Sequence, residues 1–129
     1  MTKDEHIKYW LESAQYDFET AENLFQNKKF NWALFIGHLV LEKALKAKYV
    51  QDNNEMPPKL HDLVRLAEFT KIPLTDDQRM FLDEVNEFNI EARYPDYKQS
   101  FYKKCSEQYA ANYFEKIKEF YTWLISQLK

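Results

Sequence analysis

The clearest chemistry in this sequence is carried by the segment Ala92-Arg93-Tyr94-Pro95-Asp96. Arg93 has a planar, permanently charged guanidinium group that can hold a phosphate or a carboxylate through two parallel hydrogen bonds. Pro95 fixes its own φ and disfavours helical geometry at Tyr94, so the segment predicts a rigid turn between two helices. Four aromatic residues follow Arg93 within nine positions of the sequence: Tyr94, Tyr97, Phe101 and Tyr102. They favour either a stacking surface for a base or ordinary packing of the turn onto the fold.

The guanidinium group of Arg93 has two possible partners. It either binds an anionic ligand or pairs with a carboxylate on a neighbouring helix, such as Glu42 or Glu91. No histidine follows Arg93 in the sequence, so the turn lacks a downstream imidazole that could act as a general base. The segment therefore predicts anion recognition and argues against one kind of catalysis.

A line of polar residues lies on the second predicted helix, which is otherwise apolar over most of its circumference. These residues recur at steps of seven, four and four: Asn31, His38, Glu42 and Lys46. Because these steps match the helical repeat, the four side chains share one side of the helix. The line is either the solvated edge of the helix or a polar seam that faces a cleft or a partner. In the second case Lys43 and Lys46 supply positive charge beside it.

His61 and Asp62 stand at the start of a short predicted helix. This histidine either caps or packs against the helix, or it donates a hydrogen bond to a ligand. The three histidines lie on three different elements and Cys105 is the single cysteine, so a zinc site is not expected. With one glycine in the chain, Gly37, a glycine-rich phosphate loop is also excluded. We expect no cofactor and no metal.

The composition predicts an all-α fold in a single domain spanning residues 1–129. Glycine occurs once and proline four times, which leaves little room for tight β-hairpins. The apolar periodicity predicts an antiparallel four-helix up-and-down bundle with an additional short helix. The predicted long helices cover residues 4–26, 30–51, about 76–93 after a capping box of Thr75 and Gln78, and 102–128, and the short one covers residues 61–69.

The charge and the aromatic content limit the kinds of binding partner that the sequence predicts. Eighteen basic and 21 acidic residues give a net charge of −3, so no strong nucleic-acid signal is present. No apolar run approaches the roughly 20 residues that cross a bilayer, and the N-terminus does not resemble a signal peptide. We therefore expect a cytoplasmic protein without a membrane segment. Three Trp, nine Tyr and ten Phe favour a symmetric homodimer, or else a monomer whose thick helix packing absorbs the aromatic residues.

Three segments of the sequence resemble the HEPN domain family. Residues 35–47 resemble its second helix, in which an apolar run leads into Glu-Lys-Ala-Leu-Lys. Residues 60–63 resemble its His-Asp-Leu element, and residues 91–96 resemble its Ala-Arg-Tyr-Pro motif. The first predicted helix also matches the family at Trp10, Ala14, Asp17 and Ala21.

The resemblance implies a compact helical bundle, usually a homodimer. Many family members look like partners of small nucleotidyltransferases, in toxin–antitoxin-like pairs. Others are metal-independent RNases whose motif places a histidine shortly after an arginine. This chain departs from that motif, because Arg65, Arg79 and Arg93 all lack such a histidine.

The resemblance and the residues together favour a non-catalytic, nucleotide-binding module that forms a homodimer. By the same resemblance, the predicted ligand-facing residues are Lys43, Lys46, His61, Arg93 and Tyr94. Arg93 and the two lysines would hold phosphate, Tyr94 would stack on the base, and His61 would supply a polar contact. Two alternatives stay open: an RNase that uses His38 or His61 as a non-standard base, and a pure protein-interaction module.

Overall fold

The chain folds entirely into helices and their connections over the residues described here. The computed structural model describes residues 1–128, apart from the side chains of residues 95 and 96. Over this range the helices are α1 (Lys3–Gln26), α2 (Phe30–Asn53), α3 (Leu63–Glu68), α4 (Asp76–Arg93), α5 (Pro95–Lys104) and α6 (Glu107–Ser126). The described part of the chain contains no strand. The predicted all-α bundle is confirmed.

Helix α2 forms the centre of the bundle. It packs against α1, α4 and α6, and more lightly against α3 and α5. Leu34, Leu41 and Leu45 on this helix are completely buried, as expected for a helix that is apolar nearly all round. Gly37 allows α6 to approach closely, because a Cβ atom at this position would lie 2.8 Å from Cδ1 of Ile117.

Side-chain caps define where several helices begin. Thr75 and Gln78 form the predicted capping box at the start of α4, in which each side chain bonds the backbone N–H of the other residue. Asp62 accepts hydrogen bonds from two backbone N–H groups of α3, so this short helix begins at Leu63 and not at the predicted residue 61. His61 consequently lies in the preceding loop.

The prediction of one long C-terminal helix over residues 102–128 is wrong. A separate helix, α5, begins directly at Pro95, and α6 begins only at Glu107. Proline at the first turn of a helix loses no hydrogen bond and already has a helical φ, so Pro95 starts α5 as well as ending α4. Ser106 separates the two helices because its hydroxyl accepts the backbone N–H of Tyr109 and caps α6.

The aromatic residues divide between the core and the surface. Phe88 stacks on Phe101 with ring centroids 5.6 Å apart and meets the edge of Tyr113 at 5.3 Å. A second stack joins Phe18 to Phe114. Exposed aromatic side chains also occur: Tyr9, Tyr16, Trp32, Phe69, Tyr94, Tyr97 and Tyr102. Interior packing thus absorbs only part of the aromatic content.

Candidate anion-binding site

The polar line on α2 is buried, so its interpretation as a solvated edge is wrong. Each member has at most 7% of its surface exposed: Asn31, His38, Glu42 and Lys46. Helix α1 covers one side, where the Lys46 ammonium lies 5.3 Å from the centre of the Trp10 ring. The loop containing His61 covers the other side. Buried polar groups need partners, and the His61 loop supplies hydrogen-bond partners to His38 and Glu42.

Glu42 is the centre of this buried network. Its Oε2 atom accepts a hydrogen bond from Nζ of Lys46 at 3.1 Å, and its Oε1 atom accepts one from Nδ1 of His61 at 3.0 Å. The pair with Lys46 spans one helical turn of α2, whereas the bond to His61 joins α2 to the loop. Two donors therefore compensate a carboxylate that has lost most of its hydration.

His38 is a structural member of the network. Its Nε2 atom lies 2.9 Å from the backbone carbonyl oxygen of His61, which can only accept, so Nε2 carries the proton and donates it. Burial lowers the pKa of His38 to about 4, although Glu42 and the His61 carbonyl act in the opposite direction. A neutral, fully buried imidazole cannot reach a ligand at the surface. His38 is therefore a poor choice of catalytic base.

The buried state of His38 predicts a loss of stability in acid. The pKa of this imidazole falls from about 6.5 in the unfolded chain to about 4 in the fold, so the unfolded state binds more protons between these values. Its contribution to stability is complete above about pH 6.5 and is lost as the pH falls towards 4, which amounts to about 3 kcal/mol. Urea unfolding at several pH values measures it.

The matched variant for this prediction is His38→Gln, which keeps a donor for the His61 carbonyl and cannot titrate. The difference in unfolding free energy between wild type and variant should change by about 2 to 3 kcal/mol between roughly pH 7 and pH 4, with the wild type losing stability relative to the variant. Other ionisable groups contribute to both proteins and cancel in the difference. Parallel pH profiles for the two proteins would contradict this account of His38.

His61 is the exposed end of the network, with 57% of its side chain accessible. Since its Nδ1 atom donates to Glu42, its Nε2 atom is left for a partner outside the network. The imidazole borders a cleft of about 260 Å³ against one side of α4. The cleft is lined by His61, Asp62, Asp83, Asn86, Glu87, Asn89 and Ile90. A carboxylate-oriented imidazole at a cleft is a suitable hydrogen-bonding contact for a ligand.

Arg93 lies at the end of α4 and is held in a defined orientation. Its Nε atom donates to Oδ1 of Asn89 at 2.7 Å, and its guanidinium carbon lies 5.4 Å from the centre of the Phe35 ring. The predicted pairing with a carboxylate is wrong for both named candidates. Glu42 is engaged by Lys46 and His61, and Glu91 pairs with Lys104 at 3.1 Å.

This arrangement leaves the outer edge of the Arg93 guanidinium group accessible. Among the described side chains, none forms a hydrogen bond or ion pair with its two Nη nitrogens. Tyr94 follows directly and is 57% exposed. On α5, the Lys98 ammonium lies 5.0 Å from the centre of the Trp32 ring of α2. Two cations and two exposed aromatic rings thus belong to the surface around the α4–α5 junction.

The predicted ligand-facing residues do not all come together. Asn89 connects two of them, because it lines the His61 cleft and also accepts the hydrogen bond from Arg93. Lys46 lies beneath His61 in the Glu42 network. Lys43 is engaged elsewhere, in an ion pair of 2.6 Å with Asp17 on α1.

Sequence reasoning missed Asn89, Phe35 and Lys98 as neighbours of the predicted site. For Asn89 a signal was present, since it precedes Arg93 by one helical turn on the same helix. For Phe35 and Lys98 no local signal exists, because their partners lie on other elements.

Two further properties of the described residues bear on the kind of site. Among the described side chains, which leave out those of residues 95 and 96, no group of three or more His, Cys, Asp or Glu could hold a metal ion. No helix within residues 1–128 is long and apolar enough to cross a membrane.

The sequence and the fold define the class of protein to which this chain belongs. The sequence matches the HEPN domain over residues 7–128, so the chain belongs to the HEPN domain family. A search of curated proteins finds no significant match. The fold is similar to that of TT1696 from Thermus thermophilus, known from a crystal structure, with a TM-score of 0.79. The two sequences are 18% identical over 95% of this chain and 98% of the other, and this likeness shows the fold alone.

Proposed function

We propose that this chain is a non-catalytic HEPN module that binds the phosphate of a nucleotide at Arg93. The observation that carries the proposal is the state of the guanidinium group. Its Nε atom is anchored by Asn89 and its face rests on Phe35, while no described carboxylate neutralises it. An oriented guanidinium group with open Nη donors is suited to bidentate recognition of phosphate.

The surroundings suggest how a nucleotide would lie. Phosphate belongs on the side of Arg93 and Lys98, since the neighbouring cleft carries the carboxylates of Asp83 and Glu87 and repels anions. The exposed ring of Tyr94 offers a surface on which a base can stack. His61 can contact a hydroxyl or amino group of the ligand from the cleft.

The two lysines of the predicted set have a different role in this proposal. Lys43 pairs with Asp17 at a partly exposed position and Lys46 pairs with Glu42 in the interior, so neither ammonium group contacts the phosphate directly in this proposal. We accordingly expect substitution of either lysine to lower the stability of the fold more than it lowers the affinity for a nucleotide.

The direct test of ligand identity is mass spectrometry of the purified protein under native conditions, followed by denaturation and analysis of any released nucleotide. A co-purified nucleotide that is lost on Arg93→Ala supports the proposal. A nucleotide retained by Arg93→Ala would place binding elsewhere and overturn the assignment of this site.

The proposal includes a homodimer formed by helix faces. Phe35, Ile36 and Leu39 on α2 are only half-buried, and Trp32 is exposed, which is support for an apolar contact between two copies. We expect sedimentation at tens of micromolar to give about twice the chain mass of 15.7 kDa. A species of only 15.7 kDa would contradict the dimer. Trp32→Glu is the matched variant, because it should dissociate the dimer without unfolding the chain.

A small nucleotidyltransferase is the proposed protein partner, in a toxin–antitoxin-like pair. This part of the proposal rests on membership of the HEPN family and on the absence of an RNase motif after Arg93. Co-expression with a nucleotidyltransferase encoded beside this chain, followed by gel filtration, tests it. Separate elution of the two proteins would remove the partner from the proposal.

A second candidate function, metal-independent RNA cleavage, is favoured by one observation. Glu42 orients His61 through Nδ1, and the open Nε2 atom could accept a proton from a ribose hydroxyl. We nevertheless expect no appreciable cleavage of single-stranded RNA in the presence of EDTA, because the histidine of the family motif is missing. Robust cleavage that is lost in His61→Ala and kept in His6→Ala would establish the second function instead.

A further inference from the structure

A second surface, separate from the Arg93 site, lies between α4 and α6. A groove of about 560 Å³ runs between these helices. Its apolar lining consists of Met80, Phe81, Phe120 and Trp123. Met80 is 65% exposed, which is unusual for a large apolar side chain that has a groove to fill. The ring contact between Phe81 and Phe120, at 6.2 Å, forms the floor.

The rim of this groove is acidic. It carries the carboxylates of Asp77, Glu84 and Glu119, against one ammonium group from Lys116. That ammonium group lies 5.3 Å from the centre of the Tyr113 ring. The groove lining therefore carries three carboxylates against one ammonium group, and its net charge is negative.

We infer that this groove docks an amphipathic helix of a partner protein whose flanks carry lysine or arginine. The groove extends along both helices, from Asp77 to Glu84 and from Lys116 to Trp123, which is about 10 Å at roughly 1.5 Å per residue. This length matches about two turns of a helix, whose apolar side chains would cover Met80 and Trp123. Basic flanking residues would pair with the acidic rim and set the orientation.

The same charges distinguish this surface from the proposed nucleotide site. Nucleic acid and other polyanions would be repelled by the rim carboxylates, whereas Arg93 and Lys98 attract them. Peptide docking in the groove therefore does not depend on nucleotide binding at Arg93, and an experiment can contradict one without contradicting the other.

The experiment uses the methionines as reporters. The chain has three, of which Met80 lines the groove while Met1 and Met56 line a different cleft. The full-length protein, labelled with ¹³C at the methionine methyl groups, is titrated with a synthetic amphipathic helix of about 18 residues built from leucine and lysine. The Met80 signal should shift while the other two stay in place. A matched peptide with glutamate in place of lysine should bind roughly tenfold more weakly or worse.

Two charge reversals of equal size locate the contact. Glu119→Lys on the rim should weaken binding of the lysine peptide by roughly threefold or more. Glu12→Lys on α1 alters the net charge equally and should leave the affinity unchanged. Equal effects of the two variants, equal binding of the two peptides, or an unmoved Met80 signal at millimolar peptide would each overturn the inference. A Met80 shift caused by protein concentration alone would overturn it too, by assigning the groove to a second copy of the chain.

Discussion

Replacing Glu42 by leucine is expected to lower the free energy of unfolding by about 3 to 5 kcal/mol. The substitution removes the carboxylate that compensates Lys46, of which only 7% is exposed, and it frees His61 from α2. An uncompensated ammonium group in a buried position loses hydration without gaining a partner. Urea unfolding monitored by circular dichroism at neutral pH measures the change.

Two variants separate this effect from a general loss of surface charge. The double variant Glu42→Leu/Lys46→Leu should recover most of the lost stability, because apolar residues can replace a buried ion pair at little cost. In the wild type, the carboxylate of Glu12 makes an exposed ion pair with Lys8 at 3.8 Å. The Glu12→Ala variant should therefore change the free energy of unfolding by less than about 1 kcal/mol. A Glu42 variant as mild as the Glu12 variant would contradict the stabilising role assigned to the Glu42 network.

Replacing Arg93 by lysine is expected to weaken nucleotide binding about tenfold while leaving the melting temperature nearly unchanged. Lysine keeps the positive charge but loses the planar fork, the hydrogen bond to Asn89 and the contact with Phe35. Because Arg93 is exposed and has no described ion pair, its contribution to folding is small. Calorimetric titration and thermal unfolding of the same samples measure the two quantities.

The Asn89→Ala variant provides the control for orientation. It keeps the guanidinium group and removes only its anchor, so affinity should fall less than in Arg93→Lys. A lower melting temperature with unchanged affinity in Arg93→Lys would mean that Arg93 is a structural residue. The Lys98→Arg variant also preserves the positive charge, and it should bind the nucleotide as the wild type does.

The general fold could be predicted because local rules decide it. The broad apolar surface of α2 indicates a central helix, and the pairing of Thr75 with Gln78 defines the start of α4. The sequence pattern does not predict the start of α5 at Pro95, and the reason is again local. Pro95 favours both the end of one helix and the first turn of the next, and the sequence pattern alone does not separate these outcomes.

The candidate site was only partly predictable, because its members meet through tertiary contacts. Periodicity places His38, Glu42 and Lys46 on one side of α2, but it does not tell what covers them. The cover comes from Trp10 on α1 and from the loop of His61, which are distant in sequence. Burial lowers the pKa of His38, so this imidazole is neutral and serves the fold. The more exposed His61 uses Nδ1 to bind Glu42 and keeps Nε2 for a ligand.

Whether Arg93 is a ligand site or a structural contact also depended on tertiary structure. Glu42 and Glu91 were reasonable partners by charge, yet each is engaged by a closer cation. The neutral Asn89 orients Arg93 without pairing its charge, and the proposed anion site rests on this observation.

The central claim is tested most directly by calorimetric titration of the wild-type protein with ATP, GTP and inorganic phosphate at low ionic strength. Saturable binding of at least one nucleotide with a Kd below about 1 mM, weakened by added salt and about tenfold by Arg93→Lys, is the predicted result. Absence of binding by all three ligands at millimolar concentration would contradict the account of Arg93 as a nucleotide-binding residue.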